Sequence, residues 1–370
     1  MKHWRGKLER LFGCAERSIA LIDRCRPLNA QAELHRLTEL WKRARPDNPA
    51  WVYAARPDFS SLRAELAELV ELLQRGDPVD RLYAERAREL ELEARMAEAI
   101  GDPRLPVLAR QRYAPQAPDE AIEAQARSWS REASGSNPGE RFRSDDASCE
   151  RSLLSLMLRA VRRSGAPIRV VVKKDLLSVA AAGDQTVLIK PDVPLSYADG
   201  CRIVVHELLG HVLPRVRAVQ SPLGLLRVGS AGAADDEEGR ALLLERRFGL
   251  QGPSRQAELG QRHLAALSVI DGADWVETVR LLCELGAGME RAIGLACRVH
   301  RGGGLVRELA YLPALARVER AFRDTPELEI WLRGGRVGVE AARRLRLVWP
   351  TLIDERENDL SWELVEATAS

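Results

Sequence analysis

The stretch His206-Glu207-Leu208-Leu209-Gly210-His211 follows directly on the apolar run Ile203-Val204-Val205. It gathers two of the chain's six histidines around one carboxylate. Neutral imidazoles bind zinc, and a glutamate beside one of them is placed to move the proton of an attacking water. The chemistry implied is a zinc site with one Zn2+ per chain. The spacing raises a geometric question, because the common zinc-peptidase motif sets its histidines four apart on one helical face. At about 100° per residue, four steps bring the second side chain to within about 40° of the first, and five leave it about 140° away. A regular α-helix would therefore aim these imidazoles apart. Either the helix carries an extra residue as a π-type bulge, or it ends so that His211 bends back. Gly210 is the expected place for the irregularity, since glycine tolerates unusual dihedrals. Pro214 is expected to end the helix soon after.

On the N-terminal side, Ile168–Val172 reads as a β-branched strand, 176–182 as a second and 186–190 as a third. A helix over 196–212 then carries the histidines. A small sheet leading into such a helix is the usual preface to a zinc-peptidase site, where an edge strand can hold an extended peptide. On the C-terminal side, Asp235-Asp236-Glu237-Glu238 open another helix. Four acids at a helix start suit the macrodipole, and for Asp235 and Asp236 that is the favoured reading. A site with two histidines still needs a third protein ligand, and this cluster is the nearest downstream carboxylate source.

The whole chain sets wider bounds. Its 370 residues carry 56 basic and 54 acidic side chains, a net charge of +2. Such balance gives no argument for nucleic acid or membrane binding, and five Tyr and five Phe are few for base-stacking platforms. The six cysteines are scattered, with no CxxC pair. The N-terminus is charged every few residues and lacks the apolar run of a signal peptide. No run of about 18 apolar residues points to a transmembrane helix. A reduced, cytoplasmic protein is expected; its oligomeric state is unspecified.

The first third reads as nearly all helix: 6–45 as two helices broken at Pro27 with Asn29 capping the second, then 60–76, 79–101 and 119–130, with 102–118 irregular because of its four prolines. Residues 131–148 are polar, with Gly, Pro and Ser, and read as a linker or loop. A helix over 149–164 precedes the sheet. Helices over 254–270, 273–297, 305–323 and 336–347 follow the acidic cluster. The expected fold class is α+β, predominantly α-helical. The expected domains are a helical N-terminal subdomain over 1–130, the linker, and a zincin-like catalytic domain over 149–370 with a small β-sheet packed on helices. Within the latter, Arg298-Val299-His300-Arg301-Gly302-Gly303-Gly304 stands out. A glycine-rich turn opening a helix presents backbone N–H groups to an anion, and arginines clamp carboxylates bidentately; a plain interhelical turn fits equally well.

Together these pieces resemble the tyrosine carboxypeptidase family of zinc metallopeptidases. It includes eukaryotic enzymes that remove the C-terminal tyrosine of α-tubulin, and bacterial proteins named for a Gln-Glu-Gly-Leu-Ala motif and described as modulating flavohaemoglobin expression. Pro27-Leu28-Asn29-Ala30 and Asn48-Pro49-Ala50-Trp51-Val52-Tyr53 are similar to the family's Pro-x-Asn and Asn-Pro-x-Phe-x-Tyr segments. The HExxxH spacing at 206–211 is the family's own. Glu237-Glu238-Gly239-Arg240-Ala241 matches the (Gln/Glu)-Glu-Gly-Leu-Ala element. Arg298–Gly302 and Val306-Arg307-Glu308 to Tyr311-Leu312 resemble Arg-Val-x-Arg-Gly and Thr-Lys-Asp-x-x-Tyr-Leu.

The resemblance implies that His206, His211 and Glu238 hold zinc, that Glu207 is the general base and acid, and that Arg298, Arg301, Arg307 and Tyr311 hold the substrate's terminal carboxylate. It implies a carboxypeptidase acting on the C-terminus of a peptide or protein, including aromatic residues. Departures cluster around the motifs: Leu209 stands where the family has glycine, Arg240 where it has leucine, and Val306 and Arg307 where it has threonine and lysine. These leave two alternatives open, a non-catalytic regulatory or binding protein that keeps the site and a zinc amidohydrolase acting on small molecules.

Overall fold

In the computed structural model, residues 5–114, 119–131, 139–176 and 178–349 are described. The chain is predominantly helical, with a two-stranded and a three-stranded sheet. It divides into two compact units.

One unit comprises Met1–Glu9, Ser136–Gly252 and Ala314–Ser370. Its first long helix, Leu153–Ser164, shows why these residues fold as they do. The Ser152 side chain accepts a hydrogen bond from the Ser155 N–H and caps the start. Leu153, Leu156, Met157, Ala160 and Val161 then recur at three and four residues and form the buried face. Strand β1 (Arg141–Arg143) precedes this helix, and β2 (Arg169–Val172), β3 (Ala180–Ala182), β4 (Thr186–Ile189) and β5 (Pro194–Ser196) follow it. The three-stranded sheet has the order β2-β4-β3, with β2 parallel and β3 antiparallel to β4. Alternation along β4 buries Val187 and Ile189, which join Leu156, Met157, Cys201, Val204, Leu208 and Val212 in one core. The apolar residues of the histidine segment thus anchor it from below.

Two features differ from expectation here. Part of the expected linker is ordered as β1, which pairs antiparallel with β5 in the register Arg141↔Ser196; three alternating residues between charges carry too short a pattern to be read as a strand. Residues 132–138 of the expected linker lie outside the described residues, as do 115–118 and the tail beyond 349. The helix also continues past Pro214, as Leu213–Gln220. Proline fits in the first turn of a helical segment, where its missing N–H is not needed by that segment.

The other unit comprises Arg10–Gly135 and Pro253–Pro313 and contains helices and no strand among its described residues. Helix Pro78–Glu98 begins with a capping box between Asp77 and Asp80. The proline-rich region expected to be irregular contains the helix Arg104–Tyr113, because Pro103 and Pro106 fall at its start, where proline is tolerated. Asn29 does not cap the helix Ala30–Lys42; its amide instead donates to Ala50 O (2.9 Å) and accepts from Val52 N (2.9 Å). Asn48 works similarly across the chain, donating to Asp274 (2.9 Å) at the cap of helix Trp275–Glu284. Asn29 therefore pins the extended backbone at Ala50 and Val52, and Asn48 ties that segment to the start of helix Trp275–Glu284. The expected single helix over 273–297 is two, Trp275–Glu284 and Met289–His300, separated at Gly286-Ala287-Gly288.

Candidate metal centre

Residues Val205–Val212 form a π-helix between the α-helical turns Tyr197–Val204 and Leu213–Gln220. The Leu213 N–H donates to Leu208 O, five residues back. An i→i+5 ladder stacks side chains five apart, as an α-helix stacks those four apart. The two imidazoles consequently face each other, with ring centroids 5.1 Å apart and Nε2 atoms 3.3 Å apart. The extra residue is accommodated along the whole segment.

Gly210 has a reason different from the expected one. It is not among the residues with positive φ. A Cβ there would lie 2.6 Å from the Ala241 Cβ and 3.2 Å from the Ala241 Cα. Glycine is required because the π-helix runs against helix Ala233–Arg247 at this point. Gly239 plays the same part on the other side of that helix, where a Cβ would lie 2.5 Å from the backbone carbonyl carbon of Ala314. Two close approaches thus fix the acidic helix, and with it Glu238.

Glu238 Oε2 lies 3.4 Å from His206 Nε2 and 3.8 Å from His211 Nε2. With the 3.3 Å between the imidazoles, the three donor atoms form a nearly equilateral triangle. Ligands at zinc-type bond lengths in a tetrahedron stand about 3.3 Å apart, so the triangle has the dimensions of one face of such a site, with a fourth corner left over. His206, His211 and Glu238 are the group, among the described residues, that could hold a metal ion.

Behind each imidazole stands a carboxylate. His206 Nδ1 is 2.7 Å from Glu245 Oε1, and His211 Nδ1 is 3.5 Å from Glu237 Oε2. Each contact favours a proton on Nδ1 and leaves Nε2 for the metal. Glu237 is held in turn by Arg215 (2.9 Å) and Arg336 (3.6 Å). Burial raises its carboxyl pKa, but Arg215, His211 and Arg336 outweigh this and hold it well below the usual range. Burial likewise disfavours the His206 cation, yet Glu238 and Glu245 push its pKa up to about 10. The carboxylates around His206 therefore call for positive charge at this spot, and the donor set fits a divalent ion.

Glu245 was not read from the sequence, although a signal exists: it lies two helical turns after Glu238 and shares its face. Arg215 and Arg336 come from segments far apart in the chain and carry no such signal. Asp236 is engaged elsewhere, accepting from Arg317 (2.8 Å) and from Val339 N (2.7 Å). Replacing Glu245 with Gln is expected to weaken metal affinity by about 10–100-fold, the usual effect of losing an imidazole's carboxylate partner. Competition with a chromophoric chelator measures this; unchanged affinity would show that Glu245 only fills space.

Glu207, half-buried beside His206, has no hydrogen bond or ion pair among the described residues. Arg298, Arg301, Arg307 and Tyr311 belong to the second unit and come together there around Glu308. Arg298 donates to Glu308 Oε1 at 2.5 Å, and Arg301 does so at 3.5 Å. Arg262, not singled out from the sequence, lies 3.9 Å from the same oxygen and stacks over the Tyr311 ring at 4.3 Å, with Arg307 at 5.8 Å. Glu308 is 1% exposed. Burial raises its pKa, but the three arginines more than reverse this and hold it at about 2. The N–H groups of Gly304 and Leu305 turn back to the Arg301 carbonyl, which makes the glycine run an interhelical turn.

The fold and this donor set define a predominantly helical α+β protein with a candidate metal site made by two histidines of a π-helix and one glutamate of the helix packed against it. The chain belongs to the microtubule-associated tyrosine carboxypeptidase family, whose model matches residues 39–349. The match begins after the Pro27–Ala30 segment and takes in the other five motif segments. Family membership implies a carboxypeptidase, a hydrolase with a peptide or protein as substrate. None of the curated proteins compared matches the chain. No helix of the described residues is long and apolar enough to cross a membrane.

Proposed function

We propose that this chain is a zinc-dependent metallocarboxypeptidase that removes C-terminal residues, aromatic ones included, from a peptide or protein in the cytoplasm. The observation that carries the reading is the triangle of Nε2, Nε2 and Oε2 atoms 3.3–3.8 Å apart, with a carboxylate behind each imidazole. His206, His211 and Glu238 would hold the ion. When bound, zinc lowers the pKa of water to about 7 and polarises a carbonyl. Glu207 takes the proton from the attacking water and delivers it to the leaving amine. By the family resemblance, Arg298, Arg301, Arg307 and Tyr311 hold the substrate's free carboxylate. Six unpaired cysteines suit a reducing compartment.

The test is a pair of peptides ending in tyrosine, one with a free carboxylate and one amidated. Cleavage of the free acid at a much higher kcat/KM is expected; equal rates would remove the exopeptidase assignment. One observation favours a second reading, a metal protein without catalysis: Glu308 already engages Arg298 and Arg301. That reading gains if no peptide is cleaved by metal-loaded protein.

A further inference from the structure

Arg240 stands where the resembled family has leucine, and it is 3% exposed. An arginine buried this far needs acceptors for its fork. Its Nη1 donates to Leu209 O at 3.1 Å, and its Nη2 donates to Gly210 O.

Both acceptors lie inside the histidine segment, and the sequence explains why they are available. In the i→i+5 ladder the partner of the Leu209 carbonyl is the nitrogen of residue 214. In an i→i+4 ladder the partner of the Gly210 carbonyl is the same nitrogen. Residue 214 is proline and has no hydrogen to give. The change from π to α geometry is thus placed where one backbone donor is missing, and two buried carbonyls are left to find another. A buried carbonyl without a donor is costly, and a charged donor satisfies it more strongly than a neutral one.

We propose that Arg240 is a positioning residue: it replaces the N–H that Pro214 lacks and so locks the π-helical register that brings His206 and His211 together opposite Glu238. The inference rests on the reading of those three residues as metal ligands. Arg240 touches neither metal nor substrate; it acts through the backbone of Leu209 and Gly210. Because Glu238 and Arg240 are on one helix, the same fork ties the glutamate's helix to the histidines' helix. The leucine of the resembled family's motif has no such donor.

The experiment is a double-mutant cycle between Arg240→Met and Pro214→Ala, with Arg240→Lys as a milder variant. Zn2+ affinity, the visible spectrum of the Co2+-loaded protein, and amide exchange at Leu213 are measured for each. Arg240→Met is expected to weaken Zn2+ binding by about 10-fold or more, as loss of outer support does at metal sites, to alter the Co2+ spectrum, and to speed exchange at Leu213. Pro214→Ala alone should change little. In the double variant the restored N–H should recover most of the affinity, the spectrum and the protection. If Arg240→Met does not fold, Arg240→Lys carries the same comparison, with one ammonium in place of a fork and a smaller loss that Pro214→Ala again repairs. Metal affinity and spectrum unchanged in a folded Arg240 variant, even one with a lower Tm, would overturn the proposal, as would a loss that Pro214→Ala does not repair. Failure of the metal reading is distinct: the unmutated protein would bind no Zn2+, and exchange at Leu213 would still decide the role of Arg240.

Discussion

Glu207→Gln is expected to lower kcat on a peptide ending in tyrosine by about 100- to 10,000-fold, the usual span for a general base and acid, with the metal content of the protein unchanged. Glutamine keeps the size and polarity of the side chain but has no carboxylate to receive a proton. The donor triangle consists of His206, His211 and Glu238, and Glu207 is outside it, so the ion should not notice the exchange. Nor does Glu207 hold a structural partner among the described residues, so the fold has little to lose. Activity and metal per chain should be read from the same preparation. Retained turnover would remove Glu207 from the chemistry, and a loss of metal would make it part of the binding site instead.

The second large effect concerns Gly210. Alanine there brings a Cβ to 2.6 Å from one atom of Ala241 and 3.2 Å from its backbone, and backbone cannot swing aside as a side-chain tip does. Overpacking of this kind costs about 1–3 kcal/mol. The two helices should part, and Glu238, three residues before Ala241 on the same helix, should move off the imidazoles. Gly210→Ala is therefore expected to lower Tm and metal affinity together. Adding Ala241→Gly should restore both, since it removes one of the two colliding groups. Thermal melts and chelator competition on the single and double variants provide the check; a Gly210→Ala protein as stable and as metal-avid as the unmutated one would show that the close approach is not what seats Glu238.

These two positions show where sequence reading succeeds and where it stops. The helices of the first third were legible because apolar residues recur at three and four, and the strand around Val187 because Val187-Leu188-Ile189 is a short run of apolar, mostly β-branched residues. The extra residue between His206 and His211 was legible as a departure from α geometry, since a fixed rotation per residue turns a spacing into an angle. That Glu238 joins the histidines was suggested by resemblance rather than by geometry. The reason for Gly210 was not legible, because it depends on Ala241, a neighbour in space whose identity no local pattern announces. The same holds for Arg240 on the Leu209 and Gly210 carbonyls and for Arg215 on Glu237. Strands β1 and β5, three residues each, are too short to show a period, and their pairing joins segments that no turn connects directly. Pro214 misled for another reason: a proline signals a missing N–H, but whether that breaks a helix depends on whether something else supplies the donor.

The central claim is that the three atoms 3.3–3.8 Å apart hold one zinc ion. It is tested most directly by elemental analysis of protein purified without added metal or chelator, beside a His206→Ala variant prepared identically. The account predicts about one zinc per chain in the unmutated protein, as a site with three protein ligands implies, and a loss of most of it in the variant. Zinc well below one per chain in the unmutated protein, or equal zinc in both, would contradict it.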